Sequence, residues 1–142
     1  MDIRHITPDY AVSPQIEAGD LPAIAQAGFK SIICNRPDAE VPPSHQADAI
    51  AAAAEAAGLT FVRNPVTHQG LNSQMVETQA AALAATDGPV LAYCASGTRS
   101  SIVWSLSQAG KMSTDDIIRA TAAAGYDLGG LRGQIDMLSA KN

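Results

Sequence analysis

Residues 90–101 constrain the fold of this chain more than any other part of its sequence. An apolar run that ends at Tyr93 predicts a buried strand, and Cys94 follows it directly. Gly97 stands in the middle of the next short loop, and Arg99 opens a segment that predicts a helix. A strand, a tight loop and a helix in this order direct backbone N–H groups and the positive end of the helix dipole to one point.

A cysteine sulfur at such a point is shifted toward the thiolate, which is the form that attacks electrophiles. Arg99 adds a permanent planar cation that can hold an oxyanion through two hydrogen bonds. We therefore expect Cys94 to be a catalytic nucleophile that solvent can reach, with Arg99 as the anion-binding group. The alternative is that Cys94 is only a small apolar side chain at the end of a buried strand.

The remaining anion-binding groups are expected from the same loop and from one neighbouring loop. Hydroxyl groups of Thr98 and Ser100 are candidates for hydrogen bonds to the thiolate. Arg36 is either a second anion ligand or the partner of Asp38 or Glu40 in an ion pair that fixes its loop. The full predicted anion-binding set is Ala95, Ser96, Gly97, Thr98, Ser100 and Arg36.

Apolar runs alternate with helical patterns along the whole chain. Strands are predicted at 3–6, 10–13, 29–34, 59–64 and 89–93, and helices at 21–27, 44–57, 73–87, 99–109, 114–124 and 131–140. Ser44 and Ser73 are the predicted N-caps of two of these helices. This order predicts one α/β domain over residues 1–142, with a mostly parallel sheet of about five strands covered on both faces. Loops 34–40, 65–72 and 94–99 should meet at one edge of that sheet.

Charge and cysteine content narrow the range of partners. The net charge of −5 argues against nucleic acid or an anionic membrane as the main partner. Two cysteines, Cys34 and Cys94, do not make a disulfide framework, and no secretion signal or membrane span is visible, so we expect a cytoplasmic protein. Metal-ligand spacings and nucleotide-binding fingerprints are also missing from the sequence, so we expect no metal and no cofactor.

The chain resembles the phosphatase-like domain of bacterial beta-lactamase-hydrolase-like proteins, a small relative of the dual-specificity phosphatases. The matching segments, in the family's order, are 12–15 (VSPQ), 28–33 (GFKSII), 35–38 (NRPD) with Glu40, 56–59 (AAGL), 65–66 (PV) and 88–101. The resemblance covers residues 3 to about 110 and implies a phosphatase-like three-layer α/β/α fold. It also implies Cys94 as nucleophile and Arg99 as anion-binding group, in a family described both as phosphatases and as rhodanese-like sulfurtransferases.

The chain departs from the phosphatase pattern at the loop. Phosphatases of the larger superfamily place five residues between Cys and Arg and usually a His before the Cys, whereas here four residues separate Cys94 from Arg99 and Tyr93 comes first. Family members also commonly carry Asn and a basic residue at the positions of Cys34 and Ala95. The spacing from Cys94 to Arg99 is that of the six-residue rhodanese loop.

The two chemistries differ in their need for an acid. Hydrolysis of a phosphate monoester needs a proton donor for the leaving alkoxide, and residues 65–70 contain no carboxylate. His68 is the candidate acid, or else an ordinary surface residue, and Asp38 or Glu40 are possible substitutes. Sulfur transfer needs no such acid, because no alkoxide leaves.

The sequence thus favours a sulfurtransferase that works through a Cys94 persulfide, with a small sulfur oxyanion as substrate and a thiol or persulfide as donor or acceptor. The first alternative is a phosphatase of the protein-tyrosine or dual-specificity type, with a phosphate oxyanion substrate and a Cys94 phospho-enzyme. The second is a non-catalytic module that binds anions or proteins.

Overall fold

A mixed five-stranded sheet forms the centre of the protein, for which the computed structural model describes residues 2–67 and 71–140. The strands are β1 (Arg4–Thr7), β2 (Tyr10–Ser13), β3 (Ser31–Cys34), β4 (Thr60–Arg63) and β5 (Val90–Tyr93). Their order in the sheet is β1-β2-β5-β3-β4. β1 and β2 form the predicted antiparallel hairpin, and the other pairings are parallel.

Six α-helices cover the two faces of this sheet in the described part of the chain. They are α1 (Leu21–Gln26), α2 (Ala47–Ala56), α3 (Ser73–Ala84), α4 (Thr98–Ser107), α5 (Thr114–Ala123) and α6 (Arg132–Ala140). Leu21 and Ile50 bury the first two helices in one apolar cluster, and Trp104, Ile117 and Ile135 belong to a second cluster that holds α4 to α6. The predicted three-layer α/β/α arrangement is confirmed.

Two predicted helix starts are wrong. Residues 43–45 form a 3-10 turn, so α2 begins at Ala47 rather than after Ser44, and its first N–H is bonded to Asp38 Oδ1 at 2.8 Å. The N-cap of α3 is Asn72, not Ser73, because Asn72 Oδ1 accepts the Met75 N–H at 2.9 Å. In both helices, the unpaired N–H group at the start is satisfied by the side-chain oxygen of a residue that precedes the predicted serine.

A buried polar network links the ends of β3 and β4 to the first turn of α4. Gln79 is fully buried, and its Oε1 accepts hydrogen bonds from the side-chain amides of Asn35 (3.2 Å) and Asn64 (3.0 Å). Its Nε2 donates to Tyr10 Oη (3.0 Å), and Tyr10 Oη donates to the carbonyl of Ser100 (2.8 Å). The Gln79 amide of α3 thus binds β2 and the ends of β3 and β4 directly, and it is linked to α4 through Tyr10.

Replacing Gln79 with leucine should lower the free energy of unfolding by about 2 to 4 kcal/mol, because buried amide and hydroxyl groups of its neighbours lose a partner. The measurement is urea unfolding followed by circular dichroism. The matched control is Gln26→Leu, the same change at an exposed position of α1, which should stay within about 0.5 kcal/mol of wild type. Equal stability of the two variants would contradict this role of Gln79.

Candidate active site

The loop between β5 and α4 has the predicted strand–loop–helix form. Cys94 follows the last residue of β5, and α4 begins at Thr98 with Gly97 as its N-cap. Gly97 has a φ of +91°, which lies in the left-handed region that favours glycine. A Cβ at this position would also lie 2.3 Å from Tyr126 Oη, so both conformation and space require glycine here.

The Cys94 sulfur lies inside this loop. The backbone N–H of Gly97 donates to Cys94 Sγ at 3.1 Å, which is the amide contact that the sequence predicts. The expectation that solvent can reach the sulfur is wrong for this conformation, because Cys94 is 0% exposed. The Cys94 side chain is thus enclosed by its neighbours in this structure, and the Gly97 N–H is one of them.

Arg99 is fixed by two acceptors from the neighbouring loops. Its Nη1 and Nη2 donate to the two carboxylate oxygens of Glu40 at 2.8 and 2.7 Å, and Nη1 also donates to the carbonyl of Val66 at 2.6 Å. The hydrogen bonds that Arg99 donates to Glu40 raise the pKa of its guanidinium, and Cys94 adds to this effect. Glu40, Val66 and Arg99, one residue from each of the predicted loops 34–40, 65–72 and 94–99, thus meet at one edge of the sheet.

This arrangement leaves one edge of the Arg99 guanidinium for a ligand. Of its five N–H groups, those contacts use three. Among the described residues, no oxygen accepts from the Nε–H or the second Nη2–H, and the guanidinium also has a hydrogen-bond interaction with Cys94. These two N–H groups form a fork of the kind that holds an oxyanion by two hydrogen bonds. Because Arg99 also interacts with Cys94, this fork belongs to the same site as the sulfur.

Arg36 forms an ion pair with Glu40, which is one of the two roles that the sequence predicts for it. Its Nε lies 3.2 Å from Glu40 Oε1, and its Nη1 donates to Gln15 Oε1 at 3.3 Å. Glu40 consequently bridges Arg36 and Arg99. In this structure Arg36 holds the carboxylate that orients Arg99, and the role of direct anion ligand stays a prediction.

The hydroxyl groups of the loop do not contact the sulfur in this conformation. Ser96 Oγ donates to Thr98 Oγ1 at 3.0 Å, on the exposed side of the loop next to Ala95. Ser100 Oγ is buried and has no hydrogen-bond partner, so it does not bind Cys94 here. Their roles toward a bound anion stay predictions.

Two of the three candidate proton donors, Asp38 and Glu40, are engaged in other contacts. Asp38 caps α2 and Glu40 binds two arginines, so neither carboxyl group is positioned as a proton donor. His68 lies outside the described residues, immediately after Thr67 in the chain. Thr67 lines a cavity of about 370 Å³ that also borders Ala95, Arg99 and the apolar side chain of Ile102.

Cys34 belongs to a different environment from that of Cys94. It pairs with Tyr93 across β3 and β5 and packs in the cluster under α1 and α2. Because successive side chains of a strand point to opposite faces, Cys94 points away from the side that Tyr93 and Cys34 share. Burial raises the pKa of the Cys34 thiol, which fits a core residue.

Sequence reasoning did not identify two groups of the site. Glu40 was considered only as an acid or as a partner of Arg36, although an acidic side chain in this loop can also pair with Arg99. Tyr126 was not considered, and it donates from Oη to the carbonyl of Ser96 at 3.1 Å. No local pattern marks Tyr126, because its partner lies 30 residues away in the chain.

The described residues contain no group of three or more His, Cys, Asp or Glu side chains that could hold a metal ion. Within the same residues, no helix has the length and apolar character needed to cross a membrane.

Comparison with known proteins shows the family to which the chain belongs. Residues 2–111 match the model of the family described as beta-lactamase hydrolase-like protein, phosphatase-like domain. A beta-lactamase hydrolase-like protein of Xylella fastidiosa is 36% identical over 131 residues, which cover 91% of this chain and 30% of that protein. The chain thus spans less than a third of the length of this relative.

Solved structures show the same fold. A candidate phosphatase from Neisseria meningitidis is 38% identical, with a TM-score of 0.82 over 97% of this chain and 99% of that one. TpbA of P. aeruginosa, solved in complex with pTyr, is 14% identical, with a TM-score of 0.63 over 99% and 91% of the two chains. The second likeness shows the fold alone. The fold is therefore that of the cysteine phosphatases, and the chain belongs to the phosphatase-like domain family of beta-lactamase hydrolase-like proteins.

Proposed function

We propose that the protein hydrolyses phosphate monoesters through Cys94. The observation that carries this proposal is the Arg99 guanidinium, which Glu40 and Val66 hold beside Cys94 with one two-donor edge left over. Two hydrogen bonds from a planar cation match two oxygens of a phosphoryl group. The phosphatase-like family and fold support the same reading.

The reaction runs in two displacements at phosphorus. The Cys94 thiolate attacks the phosphoryl group, an S–P bond forms, and the P–O bond to the leaving alkoxide breaks as that oxygen takes a proton from the candidate acid His68. Water then attacks phosphorus, the S–P bond breaks, and inorganic phosphate leaves with the thiolate restored. Arg99 and the loop N–H groups stabilise the charge on the non-bridging oxygens in both steps.

The leaving group would lie in the cavity of about 370 Å³ next to the loop. Its wall includes the side chains of Val66, Ile102 and Leu131, and Arg99 is the one charged side chain among its described lining residues. An uncharged organic group attached to the phosphate fits such walls better than a second anionic group does.

Sulfur transfer is the second candidate, although the sequence ranks it first. The four-residue spacing between Cys94 and Arg99 favours it, and so do the structural contacts of Asp38 and Glu40, which remove two possible acids. Phosphatase-like relatives outweigh these features, because the family match covers residues 2–111 and the match to a solved phosphatase-like structure covers 97% of the chain.

Cys94→Ser should lower phosphate release from an aryl phosphate by about a thousandfold or more, because a serine hydroxyl does not supply the thiolate nucleophile. Cys34→Ala is the matched control and should keep wild-type turnover. Thiosulfate turnover and the intact mass of the protein are measured in parallel. A stable mass gain of one sulfur atom on Cys94, without phosphate release, would contradict the proposal in favour of sulfur transfer, and no turnover in either assay would favour a binding module.

Glu40→Gln should weaken inhibition by inorganic phosphate about tenfold or more, since the amide cannot hold Arg99 by two charge-assisted hydrogen bonds and the free edge turns away. The measurement is the inhibition constant for phosphate. Asp48→Asn is the control, because it removes the carboxylate of an exposed pair with Arg63 and should leave that constant unchanged. An unchanged constant in Glu40→Gln would separate Arg99 from oxyanion binding.

His68→Asn should lower kcat for an alkyl phosphate by about a hundredfold and leave kcat for 4-nitrophenyl phosphate nearly unchanged, because only the alkoxide needs a proton to leave. His45→Asn, a change outside the site, is the control for both substrates. Equal losses for the two substrates would assign His68 a role other than general acid.

A further inference from the structure

The peptide between Ser96 and Gly97 has both of its polar groups engaged. Its carbonyl oxygen accepts a hydrogen bond from Tyr126 Oη at 3.1 Å, and its N–H donates to Cys94 Sγ at 3.1 Å. The described chain has no cis peptide bond, and the C=O and N–H of a planar trans peptide point in opposite directions. The contact with Tyr126 on one side therefore fixes the direction of the N–H that reaches the sulfur on the other.

The space around this peptide leaves it little freedom. An added Cβ on Gly97 would lie 2.3 Å from Tyr126 Oη and 3.4 Å from Val12 Cγ2. The loop thus rests directly on the tyrosine hydroxyl. Rotation of the Ser96–Gly97 peptide away from Cys94 has to break the hydrogen bond to Tyr126.

Tyr126 is itself held in place. It is 8% exposed, its backbone N–H donates to the carbonyl of Thr121 at 2.9 Å, and the guanidinium carbon of Arg4 lies 5.6 Å from its ring centroid. Arg4 Nη1 also donates to the carbonyl of Ala124 at 3.2 Å. Burial raises the pKa of the Tyr126 hydroxyl, so it stays protonated and remains a donor at neutral pH.

We propose that Tyr126 is a positioning residue that acts on the Cys94 thiolate through the Ser96–Gly97 peptide. This inference rests on the proposed function only in taking Cys94 as the nucleophile. Tyr126 lies beyond residues 2–111, the segment that matches the family model, so the C-terminal part of the chain contributes to the site. Without the tyrosine hydroxyl, the N–H of Gly97 is free to turn from the sulfur, and the thiolate loses a donor.

In the described part of the chain, the groups that interact electrostatically with Cys94 include Arg99 of α4 and Tyr10 of β2, besides Tyr126 itself. A change of Tyr126 to phenylalanine leaves the first two in place and keeps the aromatic ring under Arg4. The change therefore tests the hydroxyl alone.

The experiment measures the rate at which iodoacetamide alkylates Cys94 as a function of pH, by mass spectrometry, in a Cys34→Ala background. In Tyr126→Phe, the pH of half-maximal rate should rise by about 0.5 to 1 unit, because the anion loses one oriented hydrogen bond. Thr121→Val is the matched control, since it removes a buried hydroxyl that donates to Ile117 in the same part of the chain and should not move that pH.

An unchanged pH of half-maximal rate in Tyr126→Phe would overturn the proposal, and so would an equal rise in Thr121→Val. A second measurement needs no change at Tyr126: the amide signal of Gly97, followed by NMR in the Cys34→Ala protein, should shift at the pH where alkylation reaches half its maximum. A Gly97 signal that does not follow Cys94 would also overturn it. Alkylation does not depend on phosphate hydrolysis, so a failure of the proposed function would show in the turnover assays alone.

Discussion

The ion pair between Arg99 and Glu40 is the contact on which the site depends. It joins the loop after β3 to the helix after β5, and the hydrogen bond to the Val66 carbonyl adds the loop after β4. The side chains are only 9% and 24% exposed, so solvent screens this pair less than the outer pairs of the protein. An isolated arginine at this depth would be costly, and the bridging carboxylate offsets that cost while it sets the direction of the remaining donors.

The buried network around Gln79 connects the same loops and α4 within the core. Tyr10 Oη reaches the carbonyl of Ser100 in the first turn of α4, while Asn35 and Asn64 fix the residues that follow β3 and β4. Polar groups in a core are stabilising when they are satisfied, and the two amide nitrogens and the Tyr10 hydroxyl that contact Gln79 all have partners, whereas Asn35 Oδ1 is buried without one. The candidate site is therefore built where the ends of β3 and β4 and the first turn of α4 are tied together, and the Cys94 sulfur lies enclosed beside them.

Local sequence patterns predict the fold and the strand–loop–helix motif that carries Cys94. Apolar runs and glycine positions predict all five strands and six helices of the described chain. The reason is that a strand buried on both faces, such as β3 or β5, leaves a continuous apolar run, and a helix buried on one face leaves a periodic pattern. The same reasoning fails at the caps of α2 and α3, where Asp38 and Asn72 act instead of the nearest serines. It also fails for Tyr126 and for the enclosure of Cys94, since contacts between distant residues leave no local trace. The chemistry was ranked from loop length and the missing carboxylate, and the relatives favour the phosphatase that the sequence placed second.

The enclosed sulfur has a consequence for the durability of such an enzyme. Peroxide oxidises a thiolate that it can reach, and Cys94 is 0% exposed in this structure. Enclosure of this kind limits direct contact between the sulfur and dissolved peroxide. It leaves Cys94 less open to irreversible oxidation than a thiolate at the protein surface would be.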